Sequence, residues 1–148
     1  MNIFFQDIND QRSYLFKRIN KIFNNFKTGG DYYRDFLKQS INTESIMLDA
    51  GCGSGGIISE FKDIPKEIIG ADINPELLTA NKTVDKKILS DLSKIPIDNE
   101  SLDIVVIQFV LEHLKRPSVV FEEFQRVLKK DGKLIIYTPN LYNPIMII

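Results

Sequence analysis

The sequence is short of the residues that staple or metallate a fold. It holds one cysteine, Cys52, and one histidine, His113, among 148 residues. A single thiol excludes an intramolecular disulfide framework and a CxxC metal site. A lone imidazole leaves a zinc or copper centre without ligands, so no metal is expected. An excess of charge of one sign is also lacking, since 19 Lys+Arg stand against 20 Asp+Glu. That balance supplies no basic footprint for nucleic acid. Long hydrophobic runs are missing too: the longest are strand-sized, well short of the roughly 20 residues that cross a bilayer. Near the N-terminus, Ile3-Phe4-Phe5 is broken at once by Gln6 and Asp7, too short an apolar stretch for a signal peptide. The expectation is a soluble, cytoplasmic protein with neither nucleic acid nor membrane as partner.

Apolar residues are plentiful, at 43% against 26% charged. This is enough to bury the core of one domain and argues against intrinsic disorder. Along the chain the hydrophobic period changes. Leu15, Ile19, Ile22, Phe23 and Phe26 recur at spacings of three and four, which predicts an amphipathic helix. Thr28-Gly29-Gly30 would stop it, and a second short helix carrying Tyr32, Tyr33, Phe36 and Leu37 is expected to follow. Residues 1–45 read as a helical cap.

From residue 46 to 148, short apolar runs alternate with amphipathic stretches. Strands are predicted at 46–48, 68–71, 87–89, 104–107 and 134–137. Helices are predicted around 56–61, from Pro75 with Asn74 as N-cap, and over Val119 to Leu128. Lys129, Lys130 and Lys133 read as a solvated turn before the fifth strand. Strand–helix alternation with short links implies right-handed crossovers and a parallel sheet covered on both faces. The expected fold class is α/β, a Rossmann-like doubly wound sheet of five mainly parallel strands.

The densest signal is Leu48-Asp49-Ala50-Gly51-Cys52-Gly53-Ser54-Gly55-Gly56, between the first strand and the next helix. In an open parallel sheet, ligands bind at the carboxyl ends of the strands. Two templates fit. Gly51, Gly53 and Gly56 satisfy the dinucleotide fingerprint GxGxxG, with Asp72 at the distance expected of a ribose-binding acid; this template would make an NAD-dependent oxidoreductase. Asp49, Gly51, Gly53 and Gly55 satisfy a second pattern, and here the sequence resembles the class I S-adenosylmethionine-dependent methyltransferases. Their first motif runs hydrophobic-Asp-x-Gly-x-Gly-x-Gly.

The rest of the chain extends the second resemblance. Ile69-Gly70-Ala71-Asp72-Ile73 is similar to the second motif, and Ser90-Asp91-Leu92-Ser93-Lys94-Ile95-Pro96-Ile97 to the third. Ser101 to Val106, followed by Val110-Leu111-Glu112-His113-Leu114, resembles the fourth strand and its sequel, and Val127 to Asn140 resembles the approach to strand five. The series covers residues 46–140. It implies strand order 3-2-1-4-5 and S-adenosyl-L-methionine as cofactor, with S-adenosyl-L-homocysteine as product. Asp49, Gly51, Cys52, Gly53 and Gly55 would line the methionine and ribose side. Asp72 would hold the ribose, Ile73 the adenine face, Asp91 and Leu92 the adenine edge, and Gln108 would lie near the sulfonium. The acceptor expected is a small molecule.

Against the family pattern the sequence stops soon after strand five: either it is a fragment of a longer enzyme, or a partner replaces strands six and seven. A homodimer through the exposed strand-five edge is therefore an expectation, with the apolar tail Ile145 to Ile148 packing there. A non-catalytic binding module of truncated methyltransferase fold is the alternative function.

Several residues carry two readings. Asp49 either touches ligand or orients the glycine loop by accepting backbone N–H bonds. His113 is the one general-base candidate near neutral pH, against a surface or structural role. Cys52 at a helix start invites a nucleophile, but a small buried thiol is the plainer reading. Tyr33, like Tyr32, either packs in a helix or covers the cofactor.

Overall fold

The computed structural model describes residues 27–139 and, before them, Tyr14, Arg18, Ile19, Lys21 and Ile22. Those five are helical; Leu15, Phe23 and Phe26 of the predicted stripe lie outside the described residues, as do Asn140 and the tail Ile145 to Ile148. The chain divides into two compact units, residues 1–32 and 33–148. In the first, the Arg18 guanidinium lies 5.7 Å from the Tyr14 ring centroid. Asp31 caps its own turn, its carboxylate accepting from the Thr28 amide and hydroxyl at 2.8 and 2.7 Å.

The second unit is built on one parallel sheet. Helix α1 spans Gly29–Ser40, and its residues from Tyr33 onward belong to this unit. Then come β1 (Ile46–Ala50), a 3-10 helix (Ile57–Phe61), β2 (Glu67–Asp72), α2 (Pro75–Ala80), β3 (Lys86–Leu89), β4 (Leu102–Gln108), a 3-10 turn (Leu111–His113), α3 (Pro117–Val127) and β5 (Leu128–Tyr137). The strand order is β3-β2-β1-β4-β5, all neighbours parallel, as the sequence predicts. Among the described residues no helix is long and apolar enough to cross a membrane.

Period-two alternation splits the buried strands between two cores. Leu48, Ala50, Val105 and Ile107 face Val120, Phe124 and Val127 of α3. On the other face Met47, Ile68, Ile104 and Val106 pack with Ile58, Phe61 and Leu78. Tyr33, Leu37 and Ile41, at spacings of four on one helical side, join that second core. Residues 33–41, expected with the cap, thus help build the core of the second unit.

Two local expectations change. The helix predicted around 56–61 is a single 3-10 helix of 5 residues. Its buried residues Ile58 and Phe61 are three apart, the 3-10 repeat. Pro65 follows closely, restricting the residue before it and removing an amide that a longer helix would use. The predicted lysine turn before strand five is instead part of β5, which starts at Leu128. Leu102 pairs with Leu128 but Ile104 with Lys133, so the extra residues form a bulge. The Lys129 ammonium meets Asp103 at 2.7 Å, and a Cβ on Gly132 would come within 2.8 Å of the Leu128 side chain.

Candidate functional site

β1, β2 and β4 end side by side, with Ala50 in register with Ala71 and with Ile107. The chain leaving β1 folds back at once: the Ala71 carbonyl accepts from the Gly51 amide at 2.8 Å and the Cys52 amide at 3.2 Å. Gly51, Gly53 and Gly55 all have positive φ, at 75°, 48° and 111°, whereas Gly56 has a negative φ of -151°. The left-handed residues are therefore those of the Asp-x-Gly-x-Gly-x-Gly pattern, and the last glycine of GxGxxG is not among them. At Gly51 a side chain would also run into Val110. At Gly53 a Cβ would meet nothing within 4 Å, so the loop presents bare backbone to open space, as close ligand approach requires.

Asp72 holds this loop. One carboxylate oxygen accepts from the Gly53 amide and the other from the Asn74 amide, each at 2.8 Å. Asn74 in turn caps α2, its side chain accepting from the Glu76 and Leu77 amides. A second anchor is Asn81, only 1% exposed. Its amide donates to the Cys52 and Gly53 carbonyls at 3.3 and 3.1 Å and its oxygen accepts from the Thr83 amide at 2.8 Å. Sequence reasoning missed Asn81. An asparagine closing a short helix looks like an ordinary C-cap, and its backbone does serve as one.

Under the loop lies the opposite situation. Asp49 is 4% exposed on the same sheet face as Met47. Burial, then the charge of Asp72, pushes its carboxyl up to about 7, and no hydrogen bond offsets this. The reading in which Asp49 orients the loop by accepting backbone amides finds no such bond among the described residues. Tyr33, 4% exposed, has a buried hydroxyl without a hydrogen-bond partner among the described residues. Its pKa is raised by burial and then by the Asp49 charge. Its ring stacks on Tyr137 at 5.0 Å, and Tyr137 meets Phe109 at 4.8 Å.

A cleft of about 460 Å³ opens on the other side of the loop. It gathers Gly51, Asp72, Ile73, Asp91, Leu92 and His113 from the predicted set, together with Val110, Arg116 and Val120. Ile73 is 71% exposed. Asp91 accepts from the Ser93 amide at 2.8 Å, and that bond above all holds its carboxyl below the usual range. His113 sits exposed on the 3-10 turn. Asp49, Cys52, Gly53, Gly55 and Gln108 are not among the cleft's walls. Gln108 ends β4, its oxygen 3.0 Å from where a Cβ on Gly56 would lie. The Cys52 sulfur lies under the loop against Gly70, 2.8 Å from where a Cβ there would stand. Burial, then Asp49 and Asp72, pushes its thiol up to about 12, which removes nucleophilic character at neutral pH.

The fold is shared with solved structures, a methyltransferase among them. The YcgJ protein of Bacillus subtilis superposes with TM-score 0.68 at 22% identity, over 77% of this chain and 53% of that one. Phosphoethanolamine N-methyltransferase 1 of Haemonchus contortus, solved with phosphoethanolamine and S-adenosylhomocysteine, superposes with TM-score 0.61 at 18% identity, over 70% of this chain and 24% of that one. Demethylmenaquinone methyltransferase of Lactobacillus johnsonii is 32% identical over 127 residues, 75% of this chain and 51% of that protein. The chain spans between 30% and 51% of the length of the curated relatives it matches. A family model described as a methyltransferase domain matches residues 48–136; by that match, which takes in the whole glycine loop and all five strands but the last residue of β5 and the first two of β1, the chain belongs to the methyltransferase-domain family.

Proposed function

We propose that this chain binds S-adenosylmethionine at the carboxyl ends of β1, β2 and β4 and donates its methyl group to a small-molecule acceptor. The observation that carries the reading is the pair under the glycine loop: the Asp49 carboxyl, 4% exposed and pushed up by burial, and the Tyr33 hydroxyl, buried without a hydrogen-bond partner among the described residues. An uncompensated buried charge is costly, and perturbed acids of this kind gather where a ligand completes them. An amino-acid end with its ammonium and carboxylate fits both groups. Asp72 would take the ribose hydroxyls on lone pairs its two amide bonds leave free. Ile73, Asp91 and Leu92 would enclose the purine.

The cofactor supplies a methyl group on a sulfonium, displaced in line to leave neutral S-adenosylhomocysteine. This chain's part is to bind, orient and exclude water. Holding the acceptor atom in line is worth up to roughly 7–11 kcal/mol in favourable systems. A base is needed only for an acceptor that must lose a proton, and His113 on the rim of the cleft is the group placed for that.

Calorimetric titration with S-adenosylhomocysteine, with NAD in parallel, tests the reading. Saturable binding of the first, silence with the second and loss of binding in Asp72→Ala are expected. A folded chain that binds neither ligand would contradict it. Binding with no methyl transfer to any acceptor would leave a binding module instead of an enzyme.

A further inference from the structure

The wall of the cleft that carries Asp91 and Leu92 belongs to the segment between β3 and β4, residues 90–101, which has no regular secondary structure. Its near end hangs from β2, where the Ser90 amide donates to the Asp72 carbonyl at 3.0 Å. Its far half is fastened by two side chains of α3. The Ile95 amide donates to Glu123 at 2.6 Å. Arg126 donates to the Ile95 and Ile97 carbonyls at 3.0 and 2.8 Å, and to the Asn99 side chain at 2.6 Å. Two further bonds lock Arg126 to Glu123, at 2.8 and 2.7 Å. The hydrogen bond from Arg126 is the main cause that holds the Glu123 carboxyl below its usual range. A guanidinium's fixed fork suits several carbonyls at once, which an ammonium cannot imitate. One turn earlier α3 presents Val120 to the same cleft, so one rigid helix sets both walls.

We propose that Glu123 and Arg126 are positioning residues for purine recognition: clamped to α3, the 90–101 segment keeps Asp91 and Leu92 at a fixed distance from Asp72 and Ile73. The inference rests on the cofactor reading of the cleft. The clamp never touches the ligand. It acts through Asp91, whose carboxylate discriminates an amino group from a carbonyl only while it is held in place.

The test compares affinities of the full chain for S-adenosylhomocysteine and for its 6-oxo counterpart, S-inosylhomocysteine. A hydrogen bond to a charged group gives the wild type about a tenfold or greater preference for the amino purine. Arg126→Gln should shrink that preference to within about twofold, with Arg126→Lys in between. Hydrogen exchange at residues 91–99 should rise in the same order. Asp91→Ala, with the clamp intact, should lose the preference while exchange at residues 95–99 stays at the wild-type level, the Ser93 amide alone exchanging faster because it loses its acceptor. Variants that exchange faster or melt lower yet keep the wild-type ratio would overturn the proposal, because burial of Leu92 and Ile95 would then suffice to place the wall. Should Arg126→Gln fail to fold, Glu123→Gln carries the same comparison, since it keeps the volume and an acceptor for Ile95. A wild type that binds neither probe fails at the cofactor reading itself, and the clamp falls with it.

Discussion

Asp49 and Asp72 lie at the ends of adjacent strands, and the fold treats them in opposite ways. Asp72 is partly exposed and spends both oxygens on backbone amides, at Gly53 and Asn74. Asp49 is buried, without a donor among the described residues, and its carboxyl is pushed up to about 7. The first carboxylate builds the loop and the start of α2 whether or not a ligand is present. The second contributes nothing to the folded state that a neutral residue would not, and removing its charge relieves a cost. On the proposed reading, one site thus holds a scaffold acid beside an acid kept for a ligand. The two predict opposite signs for stability and the same sign for binding.

The strongest blow to the comparison would come from Asp72→Ala. Two amides lose their acceptors, so stability should fall by about 1–3 kcal/mol, and S-adenosylhomocysteine binding should vanish in calorimetry. Asp49→Asn sharpens the contrast. Binding should weaken more than about tenfold, as for a lost charged hydrogen bond, while thermal melting at pH 8 should rise. The sign follows from proton counts. Between the unfolded carboxyl near 3.8 and the folded one at about 7, the native state holds a proton that the unfolded chain has released. Through this group, stability therefore falls as pH rises across that window, and is lowest above it. Asp49→Asn should flatten that slope; a lower melting temperature at pH 8 would break the comparison.

Asn81→Ala tests the second anchor of the loop. It frees two carbonyls and the Thr83 amide, and a loss of about 1–2 kcal/mol in denaturant unfolding is expected. Binding should weaken less than in Asp72→Ala, since Asp72 itself remains. The smallest effect is at Glu100, exposed with φ 50°. Glu100→Gly should gain about 0.5 kcal/mol by relieving a left-handed side chain and leave binding unchanged.

The sheet was legible because its strands are apolar runs spaced by capping residues: Ile104-Val105-Val106-Ile107 has no other sensible reading, and Asn74-Pro75 marks a helix start. The glycine loop and Asp72 were legible for the same reason, since their spacing is local. What escaped depends on distant neighbours. The state of Asp49 is set by its burial and by the charge of Asp72 on the neighbouring strand, and no motif records either. Asn81 acts across 28 residues of sequence. The lysine-rich start of β5 looked like a turn because Asp131-Gly132 is turn chemistry; pairing of Leu128 with Leu102 makes it a bulge. Arg126 and Glu123 belong to no motif, and only the fold brings the 90–101 segment to them.

On the proposed reading Asp49 waits for a positively charged group, and titration of the protein with S-adenosylhomocysteine at pH 7 in two buffers of different ionisation enthalpy reads this out. Binding should release a fraction of a proton, because the ligand's ammonium stabilises the ionised carboxylate, and Asp49→Asn should abolish the difference between buffers. Binding with the same heat in both buffers, from the wild-type protein, would contradict it.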